Sequence, residues 1–96
     1  MPVGVVQLEI VLPQAVSLKD RRQLVRSLKD QLRRQFNISI AELDQPAGLC
    51  QRASIGIAAI AAEDGYLLGL LNQAAAAAER ILAGQDVRTS TAEIIA

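Results

Sequence analysis

Along VGVVQLEIVLP, residues 3–13, side chains fall on two faces in strand alternation. Val6, Leu8, Ile10 and Leu12 share one face, and Val3, Val5, Gln7, Glu9 and Val11 share the other. The β-branched content predicts a strand that stops at Pro13. From Ser17 the period changes to that of a helix, with Leu24, Val25, Leu28 and Leu32 recurring on one side. Ser17 and Asp20 resemble a capping box, with aspartate in place of Glu or Gln. Arg33 and Arg34 lie in the last turn, where cations favour the negative end of the helix dipole.

Alternation returns in FNISIAEL, residues 36–43, with Phe36, Ile38 and Ile40 on one side. DQPAG, residues 44–48, has the composition of a loop. RASIGIAAIAA, residues 52–62, is expected to form a strand with Ile55 and Ile57 on one face. Asp64 is the expected cap of a second helix running through Leu67, Leu71, Ala74 to Ala78 and Leu82, with Gly84 as its stop. The alanine run suits close packing of that helix on a sheet, because alanine is both small and a strong helix former. VRTSTAEII, residues 87–95, is expected to be one final strand.

The order β-α-β-β-α-β predicts an α+β ferredoxin-like sandwich: a four-stranded antiparallel sheet with two helices on one face. The first and third strands should be central and the second and last should be edges. With 96 residues, the chain is expected to form a single domain, 1–96. Aromatic residues are only 2% of the chain, so Val, Ile, Leu and Ala must build the core.

Composition excludes several kinds of chemistry. Histidine is absent, which removes an imidazole base, a Ser-His pair and His-ligated metal. A lone Cys50 supplies neither a zinc cage nor an internal disulfide, and its expected role is to fill a loop or strand edge. The six glycines form no phosphate-binding loop. No catalytic residue, metal site or cofactor is therefore expected. The longest charge-free segments, 53–62 and 65–78, are shorter than the roughly 18 apolar residues of a membrane helix. The first basic residue is Lys19, so no secretory signal is expected, and a cytoplasmic location is.

The fragments SLKDRR, RRQFNISIAE and QRA follow an opening VGV in order and at compatible spacing. Together they resemble the YlxP-like family of small bacterial proteins of unknown function, over about two thirds of the chain, up to the second helix. The resemblance implies a ferredoxin-like fold. It also implies a translation context, because genes of that family often lie near those for translation initiation and ribosome maturation factors. Cys50 departs from the family pattern, in which tryptophan is common there.

Charge is distributed unevenly. Residues 17–36 carry seven bases and two acids, and the rest of the chain carries three bases and eight acids, so a neutral molecule is polarised. At 100° per residue, Lys19, Arg22, Arg26, Lys29 and Arg33 form one stripe beside the apolar seam. Local pairing, for example Asp30 with Arg34, cannot neutralise seven bases with two acids. Three uses of the stripe stand open: an ordinary wetted face, contact with phosphates of structured RNA or the ribosome, and contact with a protein or another subunit. Base stacking is not expected, since Phe36 should begin an edge strand facing the core and Tyr66 should lie on a helix.

The second candidate surface is the sheet face away from the helices, with Val5, Gln7, Glu9, Ser54, Gly56 and Ala58 at its centre. It is poor in charge for a wetted face, which makes it a candidate homodimer face, or alternatively a small-ligand face or simply an open one. Glu9 there is either solvent-exposed or held by a polar contact.

Overall fold

The computed structural model describes residues 1–13, 17–43 and 51–96. Its elements are β1 (Val3–Val11), α1 (Leu18–Gln35), β2 (Ser39–Leu43), β3 (Arg52–Ile60), α2 (Asp64–Ile81), β4 (Asp86–Thr89) and β5 (Glu93–Ile94). The sheet runs β2-β3-β1-β4 with every pairing antiparallel, and β5 pairs with β1. This is the ferredoxin-like α+β arrangement, with β1 and β3 at the centre. The segment 44–50, including Cys50 and all of the expected DQPAG loop, lies outside the described residues.

The buried face of β1 is the one its alternation predicts: Val6, Leu8, Ile10 and Leu12 are each at most 2% exposed. Ile55 and Ile57 of β3 and Ile40 of β2 face the same core. Helix α1 adds Val25, Leu28 and Leu32, and its first turn is capped where Ser17 Oγ accepts a hydrogen bond from the Asp20 amide at 3.2 Å. Helix α2 adds Leu67 and Leu71 and then buries Ala74, Ala75, Ala77 and Ala78. The approach is tightest at Gly4 of β1, where a Cβ would sit 2.9 Å from Leu71 Cδ1, 3.1 Å from Leu67 Cδ2 and 3.0 Å from the Glu93 carbonyl oxygen. Only glycine lets the helix close on the strand there.

Several boundaries differ from expectation. β1 stops at Val11 and β3 at Ile60. Phe36 caps the end of α1, and β2 begins only at Ser39. Phe36 and Ile38 still pack half-buried on the core, so the apolar alternation survives where the strand hydrogen bonding does not. Glu63 occupies the N-cap of α2 without a side-chain cap bond, and Asp64 opens the first turn, where an acid favours the helix dipole. Gly84, at φ +95°, does follow the helix end, in a conformation that favours glycine.

The largest correction concerns the last strand, which is two strands separated by a bulge. β4 pairs with Leu8 to Val11 and β5 with Gly4 and Val5, and three residues, 90–92, stand opposite two. Ser90 fills the break: its amide donates to the Gln7 carbonyl and its hydroxyl accepts from the Gln7 amide, both at 2.9 Å. The extra residue reverses the facing. Val87 packs on the core before the bulge, and Ala92 and Ile94 pack on it afterwards.

Candidate functional site

Helix α1 lies against β2 through two arginines that reach the sheet edge. Arg21 Nη2 pairs with Glu42 Oε1 at 3.0 Å, and Arg33 Nη2 donates to the Ile40 carbonyl oxygen at 3.1 Å. Both acceptors belong to an edge strand, whose outward groups have no further strand to bond. Arg21–Glu42 is the one ion pair among the described residues, so the local Asp30–Arg34 pairing is not formed.

Beside these anchors a groove of about 410 Å³ runs between the helix and the edge strand. It gathers Arg22, Arg26, Lys29 and Arg33, four of the five stripe residues, with Asp30 and Glu42 as its acids. Lys19 stands outside it, toward the helix start. No described carboxylate pairs with Lys19, Arg22, Arg26 or Lys29. Arg33 differs from them in being tied to the sheet by its hydrogen bond. Arg21 lies outside the sequence-defined stripe, and its partner, 21 residues away, has no signal in local periodicity.

The opposite face of the sheet is open. Strand register sets it out as cross-strand rows: Ser39, Ala58, Val5 and Glu93; then Ala41, Gly56 and Gln7; then Leu43, Ser54, Glu9 and Arg88. A trough of about 640 Å³ runs over the small side chains of Ala41, Gly56 and Ala58. Leu43 forms one wall and the Ser90–Thr91 bulge the other. Val5, Gln7, Gly56 and Ala58 of the expected face line this trough, whereas Glu9 and Ser54 lie beside it. Glu9 is exposed and also held: its carboxylate accepts hydrogen bonds from Ser54 Oγ and from Gln7 Nε2, the latter at 2.7 Å. Ser54 is buried at 6% exposure, which its outward facing did not predict; Leu43 is its partner on β2.

Leu43, Ser90, Thr91 and Glu93 were missing from the sequence-defined face. Leu43 continues the Ser39, Ala41 alternation by one step, so that signal was present. The other three follow from the bulge, which shifts the facing of the last strand.

Among the described residues there is no cluster of three or more side chains suited to a metal ion. No helix among them is long and apolar enough to cross a membrane.

Comparison with known proteins adds the family. The model of a family described as "Protein of unknown function (DUF503)" matches residues 3–91. The chain belongs to this family. The family match extends past α2 through β4, beyond the fragments that carried the sequence resemblance. No curated protein matches the chain. Among solved structures it is similar to the de novo designed protein Foldit4, with TM-score 0.53 and 8% identity, covering 99% of this chain and 98% of that one. It is also similar to a C-terminal segment of the alpha subunit of aIF2 from Pyrococcus abyssi, with TM-score 0.57 and 17% identity, covering 93% of this chain and 49% of that one. At these identities the likeness is one of fold alone. This DUF503 chain therefore carries a known architecture, and its function must be argued from its surfaces.

Proposed function

We propose that the chain is a noncatalytic, cytoplasmic accessory protein that docks on structured RNA, free or in the ribosome, through the cationic face of α1. The observation that carries this reading is the set Lys19, Arg22, Arg26 and Lys29, which share one helix face and have no carboxylate partner among the described residues. Surface cations that are not paired locally remain available to phosphates, and phosphate contact needs no base-reading group.

The aromatic inventory favours backbone contact over stacking. Tyr66 is 65% exposed but lies on α2, and Phe36 is half-buried against the core. The face therefore lacks the aromatic platforms that hold unpaired bases. The YlxP-like resemblance supports the same reading, through its association with translation genes.

With about four cations engaged, log K should fall with log salt at a slope of about −3 to −4. The test is titration of a labelled RNA hairpin at several salt concentrations, using the wild-type chain and Arg26→Glu/Lys29→Glu. The expected result is salt-sensitive binding that the double reversal weakens by about 100-fold. Binding that ignored the reversal would sink the reading.

A second reading has its own support: the chain acts through its open sheet face, as a homo-oligomeric or small-ligand module. Its basis is the apolar trough over Ala41, Gly56 and Ala58.

A further inference from the structure

The open face holds three of the six exposed large hydrophobic residues among those described: Leu43 at 39%, Ile60 at 53% and Ile95 at 58%. Ile60 shares the face through its pairing with Val3, and Ile95 follows by alternation from the inward-facing Ile94. β1 and β3 each have nine residues. β2 has five, and β4 and β5 together span Gly4 to Val11 of β1, so at about 3.3 Å per residue and about 4.8 Å per strand the face covers about 500 Å². Two such faces bury about 1,000 Å² together, close to the roughly 1,000 Å² that a specific interface needs.

The charges on this face are arranged about its centre. Gln7 pairs with Gly56, and the rows on either side are equally distant from that pair. Glu93 ends the row of Val5, and Arg88 ends the row of Glu9, both on the β4–β5 side of β1. Neither makes an ion pair with a described residue. A two-fold axis lying in the interface and crossing the strands at Gln7–Gly56 exchanges these two rows. It therefore sets Glu93 of each copy opposite Arg88 of the other, twice per pair.

We infer that the partner of the open sheet face is a second copy of this chain, in a face-to-face dimer closed by reciprocal Glu93–Arg88 pairs around the apolar trough. The inference rests on the second reading above and names its partner. The partner has the same mixed rim and the same small-residue floor, so it meets both the charges and the apolar surface. The helices then lie on the outside of the dimer, and the cationic stripe of each copy stays free. Dimerisation and RNA binding are thus separable, and measuring mass without RNA tests the dimer alone.

Sedimentation equilibrium over about 1 to 100 µM is the experiment, covering the range of ordinary protein association. The expected mass is twice 10.3 kDa at the upper end. Arg88→Glu and Glu93→Arg should each weaken association by at least about tenfold, since like charges then face each other. The double variant Arg88→Glu/Glu93→Arg should restore it to within about threefold of wild type, the signature of a direct pair. Circular dichroism verifies that each variant is folded. A wild-type chain that stays at 10.3 kDa would overturn the proposal and leave the trough to a small ligand. A double variant no better than the single ones would overturn the pairing geometry and the dimer built on it.

Discussion

The two faces of this molecule handle polar groups in opposite ways. On the α1 side, charge is plentiful and only partly used: Arg21 is paired, Arg33 is tied to a carbonyl, and the other five cations have no carboxylate partner among the described residues. On the sheet side, charge is scarce at the centre, and the one central carboxylate, Glu9, already holds two hydrogen bonds. Long cationic side chains on a helix can reach water while their stems cover the core, so an uncommitted positive face costs the fold little. A flat apolar sheet face has no such escape and gains by being covered. The first surface suits a salt-sensitive, reversible partner, and the second suits a partner of matching shape.

Removing the core that both faces share should have the largest effect. Leu28→Ala deletes a side chain with 0% exposure and should cost about 2–5 kcal/mol. Urea denaturation followed by circular dichroism would measure it, and both binding surfaces should disappear in one transition. Next comes the contrast itself. Arg26→Glu/Lys29→Glu should weaken hairpin RNA binding by about 100-fold and flatten the salt slope by about two, while leaving the dimer mass unchanged.

A smaller effect separates anchors from free cations. Arg33→Ala should cost about 1 kcal/mol of stability because it leaves the Ile40 carbonyl without its donor. Arg22→Ala should stay within about 0.5 kcal/mol of wild type and lose RNA affinity only. Thermal melts and RNA titrations on the same pair of variants decide this, and equal melts would show that the Arg33 bond contributes nothing. Smallest is the Arg21–Glu42 bridge, whose side chains are 12% and 33% exposed. Glu42→Gln should cost no more than about 1 kcal/mol, since partly exposed pairs are screened by solvent. It should also raise RNA affinity two- to threefold by removing an acid from the cationic groove.

Much of this was legible along the chain. The alternation in 3–13 named the buried residues of β1, and the spacing of Val25, Leu28 and Leu32 named the seam of α1. Those patterns are local, because side-chain direction follows directly from the period of each element. The cationic stripe was legible for the same reason, and the structure gathers four of its five members in one groove. What escaped depended on pairing across distance. The bulge at 90–92 depends on which residues of β1 stand opposite, and VRTSTAEII alone does not reveal its change of phase. Arg21 meets Glu42 only because α1 lies beside the edge of β2, and Phe36 ends a helix because the chain must turn there before it can pair.

By itself, the sequence determined the type and order of the elements as far as the last strand, the inward face of each long one, the composition of the core and the polarity of α1. These are consequences of period and side-chain type. Tertiary structure alone decided which cations are spent on the sheet edge, where the last strand breaks, and which residues wall the trough. Those outcomes are set by register and packing between elements far apart in the chain, where a shift of one residue turns a side chain from one face to the other.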